Sequence, residues 1–176
     1  VNIDDLTTQP AVFSACRAYR YSLRRDICGT GPPVLFILLN PSTADETGND
    51  PTIRRCMGFA TRWGTSVLYI ANLFALRATD PKVMRRHPAP VSEDDGITND
   101  LAIAILMQHV RHDRGQTVCA WGAHGSFSGR SRDWRAMCLR LASMRKIPTH
   151  HLGLTKHGEP RHPLYLRADT PLELWV

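Results

Sequence analysis

The stretch Val34–Leu39, VLFILL, is apolar at every position and stops at the polar turn Asn40-Pro41-Ser42-Thr43-Ala44-Asp45. A short unbroken apolar run bounded by turn residues reads as a strand buried on both faces. That requires layers above and below it and is the pattern of a parallel sheet. Open α/β sheets bind ligands in the crevice outside the carboxyl ends of such strands, and Asn40-Pro41-Ser42 stands at that point. Local chemistry alone reads Asn40 and Pro41 equally well as residues that end a strand and start a loop.

The rest of the chain supplies the layers. Asp50-Pro51 is a helix start, with Asp as the cap and Pro at the first helical position. Ile53, Cys56, Met57, Ala60 and Trp63 follow at helical spacing, and Gly64 ends the helix. A second strand is expected over 66–73, a helix over 96–112 begun at Ser92–Asp95 and burying Ile97, Leu101 and Ile105, and a third strand over 117–121. A helix over 131–144, capped by Ser131, presents Trp134, Met137, Cys138 and Leu141; a fourth strand covers 149–154. Strand–helix alternation implies parallel strands with helices on both faces. Residues 17–27 read as a half-exposed strand with Tyr19, Tyr21 and Leu23 on one face and arginines on the wet one. A hairpin with 34–39 would set it antiparallel at the sheet edge. The expected fold is therefore a single α/β domain over 1–176. It has three layers, α/β/α, around a mainly parallel four-stranded sheet with an N-terminal antiparallel edge strand. Residues 1–15 are expected as an irregular lead-in and the tail after Leu154 as loop.

Composition narrows the class. With 43% hydrophobic and 22% charged residues, the chain is an ordinary globular sequence. No apolar run approaches the roughly 20 residues of a membrane helix. Val1–Thr8 is polar and acidic, so no secretory leader is expected there. Five cysteines, odd in number and without a CxxC pair, argue against a disulfide framework or a zinc knuckle. A reducing cytoplasm fits; no cofactor, metal or membrane partner is expected. His150 and His151 face opposite sides of a strand and do not share a metal. The net charge of +6, mostly arginine, permits a nucleic-acid or nucleotide partner without requiring one.

The blocks LLNPSTADETGNDPTIRRCMGFATRWG, IANLFALRATDP, CAWGAHG and LGLTKHGEPRHPLYL together resemble the bacterial and phage family called domain of unknown function 1643, over nearly the whole chain. A more distant resemblance is to the uracil-DNA glycosylase superfamily, which has a four-stranded parallel sheet between helices. Leu38-Leu39-Asn40-Pro41-Ser42 is similar to its first motif, whose Asn positions the attacking water. Arg161-His162-Pro163 is similar to its last, whose His stabilises the departing base and whose following Leu wedges into the duplex. Carried over, those roles fall on Asn40, His162 and Leu166, with Asn72 reading the base edge. Ser42 in place of Gly, and Leu164-Tyr165 in place of Ser-Pro, depart from the superfamily's motifs.

N-glycosidic cleavage needs a group to place water, a donor for the leaving oxygen and an amide to read the base. Asn40, His162 and Asn72 supply these, and Asp45 is an alternative base. Pro41, Ser42, Gly122 and His124 stand at strand ends as substrate contacts. Arg77, Arg130, Arg132, Arg161 and Lys156 are candidate phosphate ligands. Each also has a plain structural reading: turn caps for the asparagines, a helix cap for Asp50, a loop histidine for His162 and a solvated lysine for Lys156. The sequence leaves three functions open: a glycosylase-like enzyme on DNA, a non-catalytic nucleotide or nucleic-acid binder, and an enzyme on a free nucleoside or sugar phosphate.

Overall fold

The structure is a computed structural model that describes residues 1–92 and 98–176. Seven strands form one mixed sheet in the order β1-β2-β4-β3-β5-β6-β7. They are β1 (Ala11–Phe13), β2 (Arg20–Asp26), β3 (Val34–Leu38), β4 (Val67–Asn72), β5 (Gln116–Cys119), β6 (Thr149–His151) and β7 (Glu173–Leu174). The inner four run parallel: β3 pairs with β4 and β5, and β5 with β6. The outer strands pair antiparallel at both edges. The parallel α/β centre expected from the apolar runs is present, and β3 is buried at every position.

Helices cover both faces. On one lies α2 (Pro51–Arg62), whose Ile53, Cys56, Phe59 and Ala60 pack with Val34, Phe36, Leu38, Leu68, Ile70 and Val118. Asp50 caps it as expected, accepting from the Ile53 amide at 2.9 Å, a contact worth about 1 kcal/mol. On the other lie α1 (Asp5–Thr8), α4 (Asn99–His112) and α5 (Arg130–Arg145), packed on Leu35, Ile37, Tyr69 and Ala71. The short α3 (Pro81–Arg86) lies within the long loop after β4. Cys56 and Cys119 are core residues, as their apolar contexts implied.

Several expectations are corrected. Strand β2 does not form a hairpin with β3; both edges of β3 are taken by parallel partners, and β2 pairs with the free edge of β4. The lead-in contains α1 and β1, and the tail supplies β7. A register shift opposite Val12/Phe13 breaks the alternation of β2. Tyr19 and Tyr21 therefore join one core while Leu23 joins the other.

Helix α5 starts after Gly129, and Ser131 instead donates to Glu159 at 2.7 Å. Its Met137 is exposed, whereas Trp134, Cys138 and Leu141 are buried as expected. Helix α4 turns Ala102, Ile103, Leu106, Met107 and Val110 inward and leaves Leu101 exposed. Its cap is Thr98, accepting from the Leu101 amide. The expected start at Glu93–Asp95, and Ile97, lie outside the described residues.

Of the arginines expected on a wet face, Arg17 is exposed and Arg24 pairs with exposed Asp26, but Arg20 and Arg25 turn onto the loop after β3. Arg20 is fully buried, donating to the Ala44 carbonyl at 3.0 Å and to Asn72 Oδ1 at 3.2 Å. Burial lowers its pKa to about 10 despite the nearby Asp50 carboxylate. Arg25 reaches Asn49 Oδ1 and the Asp45 and Gly48 carbonyls. Arg17, just before the strand, pairs with Glu46 at 2.8 Å. These cations hold the loop between β3 and α2, which a run of eleven polar and small residues cannot fix by packing alone.

Candidate functional site

At the carboxyl ends of the parallel strands a cleft of about 660 Å³ opens. Asn40 and Ser42 enter it from the loop after β3, and Thr52 from the first turn of α2. Ala78, Thr79 and Pro81 form one wall. Trp121, Gly122, Ala123 and His124 after β5 form the floor, and Thr155, Arg161, His162, Leu164 and Tyr165 the far wall. The apolar run of β3 gives way here to Asn40-Pro41-Ser42, and the strand β5 leads into Gly122-Ala123-His124, so loop residues after two strands supply part of the lining.

Asn40 has a fixed orientation. Its Nδ2 donates to the Ala78 carbonyl at 2.7 Å and the Pro41 carbonyl at 3.0 Å. The reversed amide would set oxygen against oxygen, so Oδ1 is the free end. These bonds also tie the loop after β3 to the loop after β4, with Ala78 N–H returning to the Pro41 carbonyl at 2.8 Å. Asn40 therefore fastens a turn and presents an acceptor at the cleft.

His162 stands at the start of a single 3₁₀ turn, Pro163–Tyr165. Its Nδ1 accepts from the Leu164 amide at 3.4 Å. A neutral ring with Nδ1 so engaged carries its proton on Nε2. Burial lowers its pKa below the ordinary value, against an opposing pull from Asp50. His162 packs on Gly122, where φ is +75° and an added Cβ would lie 3.1 Å from His162 Cβ. Any side chain there would be strained by that φ and would push the imidazole outward. The Gly-Ala-His-Gly loop is pressed onto Trp121: a Cβ on Gly125 would sit 2.0 Å from Trp121 Cδ1. Trp121 is itself held by Nε1 donating to Glu159 at 2.7 Å.

His124 is exposed, and its Nδ1 receives Arg85 Nη2 at 2.6 Å. Arg85 lies on α3 with its guanidinium over the Phe127 ring. The residues lining the cleft include Arg161 and two histidines and no Asp or Glu among those described.

Asn40, Ser42, Gly122, His124 and His162 are thus brought together from the residues the sequence singled out. Others lie elsewhere. Pro41 is buried just behind Asn40. Asn72 is 1% exposed, holding Arg20 through Oδ1. Leu166 is buried in the core under α2, whereas neighbouring Tyr165 is 79% exposed on the cleft wall. Asp45 is turned into its own loop, where the Gly48 and Thr47 amides hold its carboxyl below the usual range. Arg77 donates to the Arg17 carbonyl and lies over Phe13. Arg130 is committed to the Leu73 carbonyl and Asp100, at 2.6 Å each. Arg132 pairs with Asp133 on the surface of α5, and Lys156 is exposed beside the lining residue Thr155.

Sequence reasoning missed Thr52, Thr79 and Arg85. The length of the loop at 74–95 was the available signal for the last two. Among the described residues, no three His, Cys, Asp or Glu group as metal ligands, and no helix is long and apolar enough to cross a membrane.

The chain belongs to the family described as protein of unknown function (DUF1643), whose sequence profile matches residues 20–164. That span includes Asn40, Gly122, His124 and His162 and stops one residue before Tyr165. Searches of the curated proteins and of the solved structures each return no match.

Proposed function

We propose that the cleft receives a nucleobase or nucleotide and that the protein is a glycosylase-like hydrolase of the N-glycosidic bond. One observation carries the reading: Asn40 and His162, from opposite ends of the chain, line one cleft with complementary polarity. Asn40 offers an acceptor for a water proton, and His162 offers an Nε2–H donor.

In the reaction the C1′–N bond lengthens and the sugar gains oxocarbenium character. His162 donates a hydrogen bond to the base oxygen on which charge develops. The water oxygen held by Asn40 bonds to C1′, its proton passes to solvent, and the base departs with the bonding electron pair and is then protonated. Tyr165 is exposed where a wedge or stacking partner for an extruded base is needed.

A second reading, a binding module without catalysis, is favoured by a separate observation. No carboxylate lines the cleft among the described residues, and Asp45, the base candidate, is bound within its own loop.

The test is a cleavage assay on labelled duplex and single-stranded DNA carrying uracil, hypoxanthine or modified pyrimidines, with Asn40→Ala alongside. Abasic product that disappears in the variant supports the hydrolase. Binding without product supports the module; neither binding nor product removes both.

A further inference from the structure

Asn40 and His162 leave the second histidine of the cleft without a role. A guanidinium has no lone pair to offer, so the hydrogen between Arg85 Nη2 and His124 Nδ1 belongs to the arginine. In the neutral ring the remaining proton is then on Nε2. His162 reaches the same tautomer through the Leu164 amide. Two imidazoles, that of His162 packed on Gly122 and that of His124 two residues after it in the chain, are thus both set as Nε2–H donors lining one cleft. Around them stand the hydroxyls of Ser42, Thr79 and Thr155 and the guanidinium of Arg161. The acceptor side is sparse: Asn40 Oδ1 is the side-chain amide oxygen, and no carboxylate lines the space among the described residues. A cleft so rich in donors, with no lining acid among the described residues and its neighbouring Asp50 engaged as the cap of α2, fits a ligand with several acceptor oxygens and negative charge.

We propose that His124, locked by Arg85, forms with Arg161 a phosphate subsite beside the Asn40–His162 pair, so that the ligand is a phosphate-bearing nucleotide, either free or within a nucleic-acid strand. The proposal rests on the nucleobase reading above and adds what the ligand must carry. The alternative role of the Arg85–His124 bond is a tether between α3 and the loop after β5. A tether would not make affinity depend on phosphate.

The experiment is calorimetric titration of the full chain with deoxyuridine, deoxyuridine 5′-monophosphate and a short single-stranded oligonucleotide containing deoxyuridine. The monophosphate or the strand is expected to bind at least about tenfold more tightly than the nucleoside. Arg161→Gln and His124→Ala should remove that advantage and keep nucleoside affinity, and His124→Gln, which retains an N–H donor, should restore part of it. A strand favoured over the monophosphate places the phosphate in nucleic acid; the reverse places it on a free nucleotide.

Equal affinity for all three would overturn the subsite and leave the nucleobase reading standing. Binding of none of these, nor of the corresponding hypoxanthine and modified-pyrimidine nucleotides, would overturn both. A two-bond ¹H–¹⁵N spectrum of the unliganded protein gives a separate check. His124 is expected to show Nδ1 as the unprotonated nitrogen, and the opposite tautomer would refute the lock. Arg85→Met should mix the two tautomers.

Discussion

Two basic concavities sit at opposite ends of the same parallel strands. The cleft at the carboxyl ends holds Arg161, His124 and His162, and a groove of about 510 Å³ at the amino ends holds Arg111, Lys146 and His150. Neither has a lining carboxylate among the described residues. The difference lies in what the cations face. At the groove, Arg111 is in the last turn of α4 and Lys146 caps the end of α5. Their charges offset the negative ends of two helices, and Arg111 Nε donates to the Lys146 carbonyl at 3.0 Å. At the cleft, the helix presented is α2 by its first turn, whose positive end is already met by the capping Asp50 carboxylate. Arg111 and Lys146 are thus committed to the carbonyl ends of α4 and α5, whereas Arg161, the one full cation among the described residues lining the cleft, stands among hydroxyl, amide and imidazole groups.

The largest expected effect is in the cleft. On a substrate cleaved by the wild type, Asn40→Ala and His162→Ala should each lower the rate of abasic product by about a hundredfold to a thousandfold. Arg111→Ala and Lys146→Ala should leave that rate unchanged; a comparable loss from either would break the comparison.

Next in size is Arg20→Met, under the loop that carries Asn40. It leaves the Ala44 carbonyl and Asn72 Oδ1 without their donor, at a cost of about 1–3 kcal/mol for each buried group. Urea unfolding should show the lowered midpoint, and an unchanged midpoint would mean that the loop does not depend on Arg20.

The pH response sharpens the contrast between the two ends. Burial lowers the pKa of both His162 and His150 from the ordinary value of 6.5. The unfolded chain then binds protons first on acidification. Stability is complete above about 6.5 and declines as pH falls through the lowered values. Thermal melts of His150→Gln should lose part of this decline with no change in activity. The activity limb should follow His162 rather than His150, level above pH 6.5 and falling below it, because burial outweighs the pull of Asp50 and a proton on Nδ1 would face the Leu164 N–H. Activity that rises on acidification through that range would contradict a neutral donor.

The smallest effect belongs to the groove. Lys146 has φ +52°, so Lys146→Gly should be more stable than Lys146→Ala, which loses the same charge, by about 0.5–1 kcal/mol, with a melting temperature a few degrees higher.

The parts legible in the sequence are those set by local chemistry. Asp50-Pro51 reads as a cap and first turn because both preferences act within three residues. Val34–Leu39 reads as an inner strand because nothing in it tolerates water. The meeting of Asn40, Gly122, His124 and His162 followed from strands running in parallel and ending at one rim. What escaped depends on distant partners. Arg20 looks like a surface charge until Ala44 and Asn72 are folded over it. Its strand looks like half of a hairpin until β4 and β5 occupy both edges of β3. The inward face of α4 lies one residue from the expected one because Leu101–Met107 is apolar at every position, which leaves the helical phase open. Leu166 stands at the wedge position that the glycosylase resemblance implies. The 3₁₀ turn at Pro163–Tyr165 instead buries Leu166 and exposes Tyr165.

The most direct measurement of the central claim is an amide ¹H–¹⁵N titration of the protein with deoxyuridine 5′-monophosphate and with a short deoxyuridine-containing strand. Shifts confined to Asn40, Gly122, His124 and Leu164, with Gly115, Gln116 and Lys146 unmoved, are the expected result. Shifts centred on the groove residues, or none at either end, would contradict the claim that the cleft at the carboxyl ends of the strands is the functional site.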